Sequence, residues 1–127
     1  KGARAVVTDI CVPISHLANA VEETRADIAA SGLMGPILGH VGDGNFHAVL
    51  LLDPDNSAEH ETALALSDRM AQRALAYGGT CTGEHGVGIG KKKFMAAEHG
   101  TAWEVMGAIK QALDPHNLMN PGKLVGD

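Results

Sequence analysis

Apolar positions along the chain change period several times, and each change marks an element. From Ala3 to Ile14, Val6, Val7, Ile10, Val12 and Ile14 supply β-branched side chains, which predicts a strand with Pro13 at its end. Ser15 then reads as a helix N-cap. Leu17, Val21, Thr24 and Ile28 follow at helical spacing, and Gly32 closes the helix. Two short apolar runs, Pro36 to Val41 and Phe46 to Leu52, flank Gly42-Asp43-Gly44-Asn45 and predict a hairpin. Ser57 reads as the cap of a second helix, with Leu66, Met70, Ala74 and Tyr77 on one face and Gly78-Gly79 as the stop. A glycine-rich loop runs from Thr80 to Gly90, and Lys91 to Glu98 is helical in composition. Thr101-x-x-Glu104 has the spacing of a capping box. It opens a last helix bearing Trp103, Met106, Ile109 and Leu113, which Pro115 ends, and the segment Asn120-Pro121-Gly122-Lys123 reads as extended.

The order β-α-β-β-α, then a loop and helices, predicts an α+β fold. The expected architecture is a ferredoxin-like antiparallel sheet with helices on one face, followed by C-terminal helices. A length of 127 residues suits one domain, residues 1–127. A composition of 45% hydrophobic and 20% charged residues is that of a globular chain rather than a disordered one. The net charge of −5 lacks the basic footprint of a nucleic-acid binder. No run approaches the roughly 18 apolar residues of a transmembrane helix. Lys1-Gly2-Ala3-Arg4 has no apolar stretch behind it, so no signal peptide is expected. Cys11 and Cys81 form no metal-binding pair and read as two buried thiols in a reducing cytosol. A cytoplasmic protein, at most peripheral to a membrane, is the expectation.

Sixteen glycines are many for this length, and their clusters also hold histidines. Nucleotide-binding loops are excluded by spacing. A P-loop ending at Gly90-Lys91 would need glycine at His85 and a hydroxyl at Lys92. A dinucleotide fingerprint would need glycine at His47 or Lys91. There is no Gly-x-Ser-x-Gly elbow and no His-Glu-x-x-His helix. Lys91-Lys92-Lys93 reads as a solvated helix start.

Two histidine clusters remain. With residues 42 to 45 as the turn, His40 pairs with His47, and opposed residues share a face with Cβ atoms roughly 4.5–5.5 Å apart. Two imidazoles so placed offer a metal bite; the bland alternative is a hairpin with two solvated histidines. In Gly83-Glu84-His85-Gly86-Val87-Gly88, flanking glycines free the backbone to turn Glu84 and His85 into one site. A carboxylate from there would complete a two-histidine, one-carboxylate set with open positions. The remaining histidine could act as a general base. The alternative is a flexible loop with a chance Glu-His pair.

Three stretches, Gly39 to His47, Gly83 to Gly88 and Asp114 to Lys123, resemble the C-terminal domain of FAD-linked oxidases. That family includes D-lactate dehydrogenases, glycolate oxidase flavin subunits and D-2-hydroxyglutarate dehydrogenases. Thr8-Asp9-Ile10-Cys11-Val12-Pro13-Ile14-Ser15 resembles the cytochrome-type D-lactate dehydrogenase branch best. The resemblance implies FAD, bound mainly by an N-terminal domain of the same polypeptide, and a small 2-hydroxy-acid substrate. It implies that His40, His47 and Glu84 ligate a divalent metal, zinc or manganese, and that His85 removes the substrate hydroxyl proton. It implies that Asn120 and Lys123 lie near the flavin. Family members acting on 2-hydroxyglutarate carry a polar Asn where Val49 stands, which favours a small substrate such as D-lactate. No flavin fingerprint fits in this length and no initiator Met is present, so the chain reads as a fragment, inactive alone, of a larger enzyme. A homodimer is compatible with this reading. The competing functions are a stand-alone metal-binding or interaction module and a metal hydrolase.

Overall fold

The structure, a computed structural model, describes residues 2–125; Lys1, which opens the segment read for a signal peptide, lies outside them. In chain order the regular elements are β1 (Arg4–Val7), β2 (Ile10–Cys11), α1 (Ile14–Ser31), β3 (Ile37–Leu38), β4 (Asn45–Leu52), α2 (Ser57–Ala76), α3 (Met95–His99) and α4 (Ala102–Leu113). The chain folds as two compact units, one running through Glu84 and the other from His85.

In the first unit β4 is the axis of an antiparallel sheet and pairs with each of the other three strands. Side chains alternate across a strand, so β4 has two distinct faces. Phe46, Ala48, Leu50 and Leu52 are buried in the core with Ala20 and Ile28 of α1 and Leu66 and Met70 of α2. Both long helices therefore cover one face, as the α+β pattern predicts. Asn45, His47 and Val49 point to the other face.

The predicted first strand is real but interrupted. Arg4↔Leu52 through Val7↔Val49 and Ile10↔Phe46, Cys11↔Asn45 belong to one continuous register, which sets Asp9 opposite His47. Between them the Thr8 hydroxyl joins the ladder, accepting from Ala48 N–H at 2.9 Å while Thr8 N–H donates to Ala48 C=O at 3.0 Å. A side chain thus does the work of a backbone carbonyl, and the strand splits in two.

Several local expectations need correction. Helix α1 starts at Ile14 with Pro13 in the N-cap position and no side-chain cap, so Ser15 caps nothing. Val12 N–H is tied to Gly44 C=O at 3.0 Å, and the chain has already turned by Pro13, whose ring suits a helix start. The N-cap of α2 is Asn56, one residue before Ser57; its Oδ1 accepts from Ala58 N–H and Glu59 N–H. Gly32 does close α1, at φ +75°.

The hairpin register is displaced by two residues. Leu38, not His40, pairs with His47. Residues 41–43 form a 3-10 turn, and Asp43 N–H donates to His40 C=O at 2.9 Å. Gly44 then leaves the turn at φ +76°, where a Cβ would stand 2.0 Å from Val12 C=O. This tight turn takes residues 40–44 out of the ladder. The turn itself brings the His40 ring back to His47, with ring centroids 6.3 Å apart.

In the second unit Thr101 is helical and makes no side-chain cap, so the capping box is not formed. Glu104 N–H is already taken by the Thr101 carbonyl at 3.1 Å, which leaves the hydroxyl no donor at that position. The segment after α4 is not extended. Asn117, Asn120, Gly122 and Leu124 all have positive φ and fold it into successive turns. Asn and Gly tolerate that conformation at little cost. The buried Asp114 carboxylate organises the first of these turns, accepting from Leu118 N–H at 2.9 Å and Met119 N–H at 2.8 Å.

Candidate metal centre and cleft

His47 is buried on the face of β4 opposite the one that α1 and α2 cover. Its Nδ1 stands 3.2 Å from the Thr8 carbonyl oxygen and 3.5 Å from Asp9 Oδ1. Its Nε2 stands 3.2 Å from Glu84 Oε1. His40 Nε2 approaches the same carboxylate oxygen at 3.6 Å, and the two imidazoles meet edge to face with centroids 6.3 Å apart. One ligand atom from each of the three residues lies within 4.8 Å of the others. The 40–44 turn, not a ladder pair, carries His40 to this point.

Glu84 arrives by a separate route. After α2, Thr80 exchanges two backbone hydrogen bonds with Cys11, which lays the following segment beside β2. Asp9 Oδ2 then accepts from Thr82 Oγ1 at 3.1 Å, Gly83 N–H at 2.9 Å and Glu84 N–H at 3.0 Å. Asp9 Oδ1 accepts from Asn45 Nδ2 at 2.8 Å. Asp9 and Asn45 are both buried and carry no role in the sequence reading. Their signal was present, because an Asp inside a run of β-branched residues is expected to be paired if it is buried.

This donor set suits a divalent cation. Two imidazole nitrogens and a carboxylate oxygen are zinc-type ligands. Around an ion with bonds of ~2.1 Å, tetrahedral ligands stand about 3.4 Å apart. The separations of 3.2 and 3.6 Å at Glu84 Oε1 match that spacing. A neutral imidazole has one N–H, yet oxygen acceptors face both nitrogens of His47. A second ring proton or a cation at Nε2 would each satisfy these acceptors.

His85, Asn120 and Lys123 fall together in the second unit, lining a cleft of about 870 Å³. Its apolar wall includes Met106, Ile109 and Leu113, so the predicted apolar face of α4 is not core packing. Ile109 and Leu113 are exposed, and no residue of α4 is buried. The Lys110 ammonium, with the Leu118 and Met119 N–H groups, lowers the Asp114 pKa to about 2. Lys110 Nζ also donates to Met119 C=O at 2.5 Å, which braces the rim of the cleft. Both cysteines are free. Burial, then the Asp9 and Asp43 carboxylates, push the Cys11 thiol pKa upward.

An antiparallel sheet with two long helices on one face, and two histidines and a carboxylate converging at the other, defines an α+β domain with a cation-type donor cluster. Residues 1–124 match the family model for FAD linked oxidases, C-terminal domain, and the chain belongs to that family. It is 51% identical over 125 residues to a protein of Danio rerio named probable D-lactate dehydrogenase, mitochondrial, covering 98% of this chain and 25% of that protein. It is 45% identical to the mitochondrial cytochrome-type D-lactate dehydrogenase of Arabidopsis thaliana, covering 98% and 22%. A glycolate oxidase subunit of Bacillus subtilis is 35% identical, covering 94% and 26%. The chain thus spans about a quarter of the length of these relatives. Among the described residues no helix is long and apolar enough to cross a membrane.

Proposed function

We propose that this chain is the substrate- and metal-binding C-terminal domain of a flavin-dependent D-2-hydroxy-acid dehydrogenase, acting on a small acid such as D-lactate. The observation that carries the reading is the convergence of His40 and His47 on one oxygen of Glu84. Membership of the FAD-linked oxidase family and the D-lactate dehydrogenase relatives support the reaction class. Residues 1–127 act as one functional domain, beside an FAD-binding domain elsewhere in the polypeptide.

His40, His47 and Glu84 would hold the cation, zinc or manganese, which would supply Lewis acidity at the substrate 2-hydroxyl. FAD supplies the acceptor for the C2 hydride. His85, next in the chain to Glu84, is the base that takes the hydroxyl proton. Asn120 and Lys123 serve the flavin side, and the cleft they line with His85 supports that assignment. Val49, apolar and on the same strand face as His47, suits a substrate without a second carboxylate.

The test is turnover of D-lactate by the full-length protein with an artificial electron acceptor, together with elemental analysis. His85→Ala is expected to lower kcat by roughly 10²–10⁴-fold, the usual worth of a general base. Wild-type turnover in that variant would remove His85 from the mechanism. A protein that binds no zinc or manganese when either is supplied would remove the metal.

A further inference from the structure

We propose that Asp9 is the positioning residue that builds the cation site, by setting the His47 tautomer and hanging the Glu84 segment on the strand that faces it. The inference rests on the metal reading of His40, His47 and Glu84 and adds a residue outside that set.

The geometry divides the work between the two carboxylate oxygens. Oδ2 gathers three donors from consecutive residues: the Thr82 hydroxyl, Gly83 N–H and Glu84 N–H. These bonds determine where the Glu84 backbone begins, and hence where its carboxylate can reach. Oδ1 takes the Asn45 amide and lies 3.5 Å from His47 Nδ1. The Thr8 carbonyl approaches the same nitrogen at 3.2 Å. Two acceptors at Nδ1 require that this nitrogen carry the proton. Nε2, which faces Glu84 Oε1 and the His40 ring, is then the nitrogen left for the cation. A carboxylate behind a ligand histidine both orients the ring and raises its basicity.

A plain structural role is insufficient to explain this placement. Asp9 is 2% exposed. An ionised carboxylate so buried is costly unless it is fully hydrogen-bonded. A neutral residue bonded to the Thr82–Glu84 segment would tie the loop down without that cost. What an amide cannot do is accept on both sides. Asn at this position would either turn its NH₂ toward the three loop donors or turn it toward Asn45 Nδ2 and His47 Nδ1. In the first case the Glu84 segment is released. In the second, two donors meet at His47, and its proton is driven from Nδ1 to Nε2.

The experiment pairs Zn²⁺ titration of the purified protein with ¹H–¹⁵N spectra of its histidine rings. Asp9→Asn is expected to weaken Zn²⁺ binding by about 10–100-fold, the range for loss of a partner behind a ligand histidine. The wild-type ring of His47 is expected to carry its proton on Nδ1 both with and without Zn²⁺, and the variant to gain the Nε2–H form. A folded Asp9→Asn variant that binds Zn²⁺ as wild type overturns the proposal. So does a wild-type His47 in the neutral Nε2–H form, a result that needs no variant and holds if Asp9→Asn does not fold. Wild-type protein that takes no Zn²⁺ while His47 carries Nδ1–H overturns the metal reading, and the proposal with it. The ring spectrum thus separates a failure of Asp9 from a failure of the site.

Discussion

A Cβ added to Gly83 would stand 1.6 Å from Nδ2 of Asn45. No side chain fits there, because Gly83 passes directly over the amide that Asp9 and Ile10 hold in place. Gly83→Ala must therefore push the Glu84 segment away from β4. The expected cost is about 1–3 kcal/mol of stability, the usual range for overpacking. Thermal unfolding measures it, and Zn²⁺ titration should show weaker binding in the same variant. A variant with the wild-type Tm would mean that the loop does not approach Asn45 this closely.

His40 and His47 should separate stability from binding. The His47 side chain is 7% exposed and the His40 side chain 64%. His47→Ala should lose metal and also lower the Tm, since it empties a buried position and removes the ring nitrogen beside the Thr8 carbonyl and Asp9 Oδ1. His40→Ala should lose metal affinity with the Tm within a degree or two of wild type. Parallel melting curves and metal titrations of the two variants test this. A large Tm loss in His40→Ala would contradict its exposed placement.

Asp114 predicts an acid transition in the second unit. Its pKa of about 2 lies below the ordinary aspartate value of about 3.9. A carboxyl depressed by folding contributes stability in full above the unfolded pKa and loses it as pH falls through the folded one. The window is therefore about pH 4 down to about 2. Asp114→Asn should differ most in Tm from wild type above pH 4, and the difference should close toward pH 2. A difference that stays constant across that range would show that the charge is not what holds the turn.

Thiol chemistry offers an independent check on the first unit. The raised Cys11 pKa keeps little thiolate at neutral pH, so alkylation should be slower than for a free thiol. Cys81 has no exposed surface and should react only on unfolding. Mass spectrometry after timed iodoacetamide treatment distinguishes the two. Rapid modification of Cys81 in the native protein would contradict its burial.

Local signals served well where one residue decides the conformation. Gly32 ends α1 and the apolar stripe of α2 faces the sheet, because a glycine in the left-handed region and a helical period need no distant partner. The same reasoning failed at Ser15, Ser57 and Thr101. At each helix start other groups meet or replace the cap: Pro13 by its fixed φ, Asn56 by its side chain, the Thr101 carbonyl by its own bond. The expected His40–His47 pair failed in register but survived in space. The 40–44 turn, closed by Asp43 N–H on the His40 carbonyl, carries His40 back to His47 where no ladder pair does.

The sequence by itself determined the α+β order, the two histidine-bearing segments and the family to which they belong. Those follow from spacing and residue chemistry, which act over a few positions. Only the tertiary structure decided which groups meet. It set Asp9 opposite His47, turned Asn120 to Lys123 back instead of extending it, and opened the apolar face of α4 into a cleft wall. It also grouped His40, His47 and Glu84 in one unit, and His85, Asn120 and Lys123 in the other. The Asp9–His47 placement and the grouping of the donor residues depend on hydrogen bonds or packing between residues far apart in the chain. Asp9 is the clearest case, since its partners Thr82, Gly83 and Glu84 lie more than seventy positions away, beyond the reach of any local pattern.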